Sequence, residues 1–343
     1  MPTLHRILGA ALLAAALFPA AAAAQTPDSA LAVSRGGQGL FRVNVDGGAL
    51  FGGSYDGGTS GGISAEGAGT RMMWYPQKAA FRAGYVNGTQ WDDANVGNYS
   101  VAIGENVRAS GNNGVAFGLR STAAGSSTFA VGEDNTATGA ASVALGYHAH
   151  TNARQGSFVF GDRSTVDTIR AGVAHSANWR VSGGFRIFTS SNLSTGVTFQ
   201  SGNDVSNWGQ SNAVISTSTG AYLHTNGTWT NASDVNRKHL FEAVDGEDVL
   251  ARLRSLPIQR WGYRGEDAGI RHLGPMAQDF RAVFGLGDDD TTIGTVDADG
   301  VALAAAQALE ARTAEQRARI EALEAENVEL RARLERLEAL LVP

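Results

Sequence analysis

Cysteine is absent from this chain, so an exported product would hold its fold without disulfides. An excess of basic residues is absent too. The formal net charge is −6, and neither half of the chain is basic enough to point to nucleic acid. Beyond the N-terminus no stretch is apolar enough to span a membrane as a helix. The chain does not finish on alternating amphipathic strands, so it brings no evident barrel anchor. Metal-ligand clusters are missing from the glycine-rich part, where His224 stands alone in a strand-like run. The Asp288-Asp-Asp run lacks calcium-loop spacing and reads as a solvated loop. Neither a metal nor a cofactor is expected.

What is present is unevenly spread. From Ser233 onward, 111 residues carry 14 Lys and Arg against 21 Asp and Glu, a net −7; the 232 residues before it carry 13 and 12, a net +1. Glycine runs the other way, with 35 of the 44 lying before Ser233. That double shift marks a boundary between two chemically different halves. At the start, His5 and Arg6 precede an apolar run from Ile7 to Phe18, then Pro19 and an alanine tract ending at Ala24. This order reads as a secretory signal over 1–24, cut before Gln25. The product is expected to be exported, at the cell surface or extracellular.

Residues 25–97 read as a glycine-rich β entry region. Leu40, Phe41, Val43, Val45, Leu50 and Phe51 alternate with paired glycines, as short strands joined by tight turns would. The aromatic cluster Met72-Met73-Trp74-Tyr75 and Phe81-Arg82-Ala83-Gly84-Tyr85 suits a packed cap on the region that follows; a sugar-binding platform is the competing reading.

Over residues 98–162 a true repeat emerges. Ser100-Val-Ala-Ile-Gly, Gly114-Val-Ala-Phe-Gly, Thr128-Phe-Ala-Val-Gly and Ser142-Val-Ala-Leu-Gly recur every 14 residues, and Ser157-Phe-Val-Phe-Gly follows after 15. Strands this short, broken by glycine every seventh residue, cannot make a helix. They make coils of a β-solenoid with alanine inside and glycine at the corners. The repeats resemble the head of trimeric autotransporter adhesins. That resemblance implies a left-handed β-roll from each of three chains and display at a surface. It transfers no ligand, and a cell-surface, matrix or glycan partner for the head stays open. Residues 163–232, rich in Ser, Thr, Asn and Gly, read as short strands of an elongated, intertwined β-stalk.

After Ala232 the texture changes. Val249 to Leu256 has helical spacing and stops at Pro257; Ile258 to Arg264 reads as a strand, Arg271 to Phe284 as a strand running into a helix, and Gly294-Thr-Val-Asp as a last strand. The wording Ser233-Asp-x3-Lys238, Leu256-Pro-x3-Trp261-x-Tyr263 and Arg271-His-Leu-Gly-Pro-Met-Ala-Gln278 resembles the endosialidase-type intramolecular chaperone domain, peptidase family S74. That resemblance implies a module, here 233–300, that trimerises, guides folding of the β-rich fibre before it and then cuts itself away. Carried over, Ser233 is the nucleophile, Lys238 the base, and Ala232–Ser233 the scissile bond. A serine and a lysine can form such a pair without histidine. Five residues on an α-helix are a rotation of about 140°, so a meeting requires a bend. Lysine accepts a proton only when burial removes its charge, which would tie cleavage to trimer assembly. Asp234 and His272 are the candidate supporting residues. Turn capping explains Asp234 equally well, and packing explains His272. His239 is a rival base.

From 301 to 343 the sequence reads as a coiled coil. Ala306, Thr313, Ile320, Asn327, Leu334 and Leu341 fall every seventh residue, beside Ala302, Leu309, Gln316, Leu323, Leu330 and Leu337. The expected fold is therefore mainly β over the N-terminal two-thirds, a trimeric β-roll head and β-stalk. A small α+β chaperone module follows, ending in a parallel trimeric coiled coil. The expected function is a secreted homotrimeric fibre or adhesin-like protein that autocleaves once as a Ser–Lys endopeptidase. A fibre whose C-terminal module only trimerises is the alternative. A glycan hydrolase would need paired acids, and the head offers only Asp92 beside Asp93, and Asp162 with Asp167.

Overall fold

The computed structural model describes residues 29–203 and 208–341; the secretory signal expected over 1–24 lies outside them. The chain divides into two compact units, the first ending at Phe185 and the second beginning at Arg186.

Alanine and glycine dictate the first unit. Strands Val101–Glu105, Val115–Leu119, Phe129–Glu133, Val143–Tyr147 and Phe158–Gly161 lie parallel in one sheet. Their register never slips: Ala102, Ala116, Ala130, Ala144 and Val159 are successive partners, all fully buried. The two-residue strands between them, from Arg108–Ala109 to Ile169–Arg170, form a second parallel sheet. Its Ala109, Ala123, Ala137 and Ala149 are buried in the same core. Each repeat is thus one coil, and small side chains fill a core only two short strands wide. Glycine holds the fourth strand position because no other residue fits. At Gly104 and Gly118 φ is +132° and +105°, and a Cβ would stand 2.0 and 2.2 Å from the next coil's carbonyl oxygen.

The first sheet runs past both ends of the legible repeat. Ala177–Arg180 pairs in parallel with Phe158–Gly161, so Trp179 and Arg180, expected in the stalk, continue the roll. At the other edge the hairpin Gly69–Tyr75 and Ala80–Val86 is added, with Phe81 to Tyr85 parallel to Val101–Glu105. The aromatic cluster therefore takes the capping position. In that terminal strand Arg82 stands where the coils carry alanine. It is fully buried and donates to the carbonyls of Phe81, Ser100 and Ala109 and to Ser100 Oγ, at 2.8–3.0 Å. Burial pushes its guanidinium down to about 10, which still leaves it charged at neutral pH. Ahead of the hairpin, Ser29–Arg35, Gln38–Asn44 and Ala49–Phe51 make a separate antiparallel sheet.

In the second unit an antiparallel meander comes first. Its five strands, Phe185–Phe188, Gly196–Phe199, Ala213–Thr217, Tyr222–His224 and Trp229–Thr230, lie in chain order. These strands pair within one chain, where the sequence suggests an intertwined stalk. Helices α1 (Gly246–Ser255), α2 (Ala277–Phe284) and α3 (Thr295–Leu341) follow, with a small sheet of Gln259–Trp261 and His272–Gly274. Asp245 caps α1, its carboxylate accepting from the N–H groups of Glu247 and Asp248. Val249, Leu250, Leu256 and Phe280 bury against Val301, Ala305 and Ala308 of α3. The strand expected over Gly294–Asp297 is instead the helix start. Its β-branched residues favour a strand locally, but Asp297 and Ala298 both donate to the Gly294 carbonyl. Docking of Val301 on α1 then fixes the helix. Beyond Ala308, the heptad residues Leu309, Ile320, Leu323, Leu330, Leu334 and Leu337 are exposed along α3.

Candidate functional site

The junction between meander and helices is built on one short turn. A single 3-10 turn spans Val235–Arg237, and Asp234 caps it, Oδ1 accepting from the backbone and side-chain N–H groups of Asn236 at 2.9 Å each. The turn closes with Lys238 N–H donating to the Val235 carbonyl at 3.1 Å. It carries Lys238 round so that Nζ donates to Ser233 Oγ at 2.7 Å. The pair meets on a bend, as the geometry of a five-residue spacing requires.

Neighbouring residues hold the ends of this turn. Arg237 and Ala232 flank Gly220, whose φ is +86°; a Cβ there would lie 2.7 Å from the guanidinium and 3.2 Å from Ala232 Cβ. Asn231 Nδ2 donates to Thr295 Oγ1, at the start of α3, over 3.5 Å. Everything from Asn231 to Asp245 is nevertheless exposed. Leu240, Phe241 and Val244 are 83%, 69% and 68% accessible, and Leu240 has a φ of +57°. Three apolar residues on irregular, solvated backbone beside a nucleophile–base pair are a surface that a single chain leaves unfinished.

The other expected residues fall elsewhere. Asp234 serves the turn and makes no hydrogen bond to Ser233 or Lys238 among the described residues. His239 is exposed and likewise makes none to Ser233. His272 Nε2 lies 3.0 Å from Glu266 Oε2, with its ring against Trp261 and Tyr263 at centroid distances of 4.6 and 5.4 Å. Glu266 also accepts from Tyr263 N–H at 3.1 Å; that bond first, then His272, holds its carboxyl below the usual range. The conserved-looking wording Trp261-x-Tyr263 and His272 thus forms one aromatic cluster closed by Glu266, which sequence reasoning missed. Its only signal was its place in the Gly265-Glu-Asp turn between the two paired strands.

The acids that a glycan hydrolase would need are committed to structure. Asp93 accepts from the Tyr75 hydroxyl at 2.7 Å and pairs with Lys78 at 3.0 Å. Asp92 accepts from Gly67 N–H at 2.7 Å, and Asp162 serves Ser164, Ser182 and Arg180. Among the described residues no group of three or more His, Cys, Asp or Glu could hold a metal, and no helix is long and apolar enough to cross a membrane.

Residues 233–286 match the family Peptidase_S74, chaperone of endosialidase. This chaperone segment opens on Ser233 itself and contains Lys238, Trp261, Tyr263 and His272. Residues 96–121 and 123–149 match two copies of the YadA head domain repeat, and both copies lie in coils of the roll. The chain therefore joins a YadA-type head to an endosialidase-type chaperone segment. No curated protein and no solved structure matches it.

Proposed function

We propose that this protein is an exported homotrimeric fibre or adhesin-like molecule whose C-terminal segment templates the trimer and then releases itself between Ala232 and Ser233. The observation that carries this reading is the 2.7 Å contact of Lys238 Nζ with Ser233 Oγ at the first residue of the chaperone match. Three unfinished surfaces support assembly. The exposed heptad leucines of α3 need partner helices. The outward face of the roll carries the apolar columns Val101-Val115-Phe129-Val143 and Ile103-Phe117-Val131-Leu145. The third is Leu240, Phe241 and Val244 beside the dyad.

The chemistry follows from the placement of the serine after the bond it cuts. Enclosure by neighbouring copies withdraws Lys238 from water and favours its neutral amine. The amine takes the Ser233 hydroxyl proton as Oγ adds to the Ala232 carbonyl carbon. The bond from that carbon to the Ser233 nitrogen breaks, and the nitrogen leaves with the proton Lys238 held. An ester between Ala232 and Ser233 Oγ results, and water hydrolyses it to a carboxylate on Ala232 and a free Ser233. The event happens once per chain and acts on no other peptide.

A second reading, in which the segment trimerises the fibre and stays attached, is favoured by one feature. Lys238 donates to Ser233 in a solvated turn, a contact that also serves merely to close that turn. Expression of wild type beside Ser233→Ala and Lys238→Ala separates the two on a denaturing gel. Loss of 111 residues from the wild type alone supports cleavage; three intact bands support the second reading.

A further inference from the structure

The first coil of the roll holds a polar recess whose groups are not satisfied by the protein. It has a volume of about 340 Å³ and is lined by Asn87, Gln90, Asn95, Asn106, Arg108 and Arg120, with threonines completing the wall and no Asp or Glu among the lining residues. That volume lies at the small end of ligand sites, about 300–1,000 Å³.

The orientation of the amides is fixed from the backbone outward. Asn87 N–H donates to Asn106 Oδ1 at 2.8 Å, so Asn106 presents its oxygen there. Gln90 Nε2 then donates to that oxygen at 3.3 Å and to Asn87 Oδ1 at 3.0 Å. Gln90 Oε1 is consequently turned the other way, shielded from solvent and without a hydrogen-bond partner. Arg108 Nε is in the same condition, and the Arg108 guanidinium makes no ion pair among the described residues. Arg120, by contrast, is held by Asp134 at 2.7 Å and by Glu133 at 3.1 Å. The recess thus offers one unpaired cation and one unpaired acceptor. A bare anion would answer Arg108 and face the Gln90 oxygen with like polarity. A neutral sugar would answer Gln90 and leave the cation unpaired.

We propose that this recess binds an acidic sugar unit, its carboxylate paired with Arg108 and a ring hydroxyl donating to Gln90 Oε1. The face stays open in an assembled head. Arg108 is partnered in the second sheet by Thr122, then Thr136, His150 and Arg170 in succession, a polar column, whereas the apolar columns lie on the first sheet. The inference rests on the reading of the head as surface-displayed, but the recess lies within one chain.

The test uses the full chain and three probes: a glucuronic-acid oligosaccharide, the neutral glucose oligosaccharide of equal length, and inorganic sulfate. Titration calorimetry should show the acidic probe bound at least tenfold more tightly than either other. Arg108→Gln should remove that preference, and Gln90→Leu should weaken the acidic probe by on the order of tenfold while thermal unfolding stays unchanged. Equal binding of all three probes, no binding at all, or a preference that survives Arg108→Gln overturns the site. Sedimentation of the same samples reports the trimer separately, so a monomer that still prefers the acidic probe sinks the fibre reading and supports the recess.

Discussion

Lys238 Nζ donates to Ser233 Oγ over 2.7 Å, across a turn capped by Asp234 and open to solvent. A donating lysine is the protonated one, so this geometry is the resting state of the pair, in place before the base is activated. Activation needs loss of a proton, which burial by partner copies promotes. Cleavage of the assembled precursor should therefore accelerate as pH rises. Lys238→Arg keeps charge and donor but cannot become a base at these pH values. Its trimer should form normally and show no cleavage over a time at which wild type is fully cut.

The coiled coil is the switch for that burial. Changing Leu323 and Leu330, both exposed heptad positions of α3, together to Asp should give monomers by analytical ultracentrifugation and an uncleaved chain on a gel. A cleaved monomer would show that a single chain completes the site.

Gly132 has a φ of +119°, and a Cβ on it would stand 2.1 Å from the Gly146 carbonyl oxygen. Gly132→Ala should destabilise the head by about 2–4 kcal/mol, through strain added to overpacking. Gly172, with nothing within 4 Å of a built Cβ, is the control; Gly172→Ala should shift stability by less than about 0.5 kcal/mol. Urea unfolding of both variants measures the difference.

Asp162 has the most heavily hydrogen-bonded carboxylate of the roll. The Ser164 hydroxyl, followed by Ser182, holds it well below its ordinary 3.8. A depressed folded value means stability that is present above the unfolded value and lost as pH falls through the folded one. Asp162→Asn should lower thermal stability at pH 7 by about 1 kcal/mol. The gap to wild type should shrink progressively below about pH 4. A constant gap across that range contradicts the assignment.

The roll was legible because its spacing is strict: alanine must fall on the inner face and glycine at the corner in every coil. It ceased to be legible where spacing loosens. Phe158 and its partner Ala177 are separated by a long loop, and Trp179 and Arg180 carry none of the repeat's small residues. At the other edge Arg82 replaces the inner alanine, which hid a strand that otherwise ends on Gly84 as the others do on glycine. The helix start at Thr295 was hidden for a different reason: contact with α1, not local preference, decides it. The dyad could be read from Ser233 and Lys238 because their spacing is local. The partnership of Glu266 with His272 depends on a strand pairing that no spacing encodes.

Self-release at Ala232–Ser233 is the centre of this account, and the mass of the C-terminal product tests it most directly. Intact-mass spectrometry of wild type expressed without added protease should find a fragment beginning at Ser233 and ending at Pro343. The Ser233→Ala protein should yield only the uncleaved chain. A wild type that stays whole as a trimer, or a fragment that persists in Ser233→Ala, contradicts it.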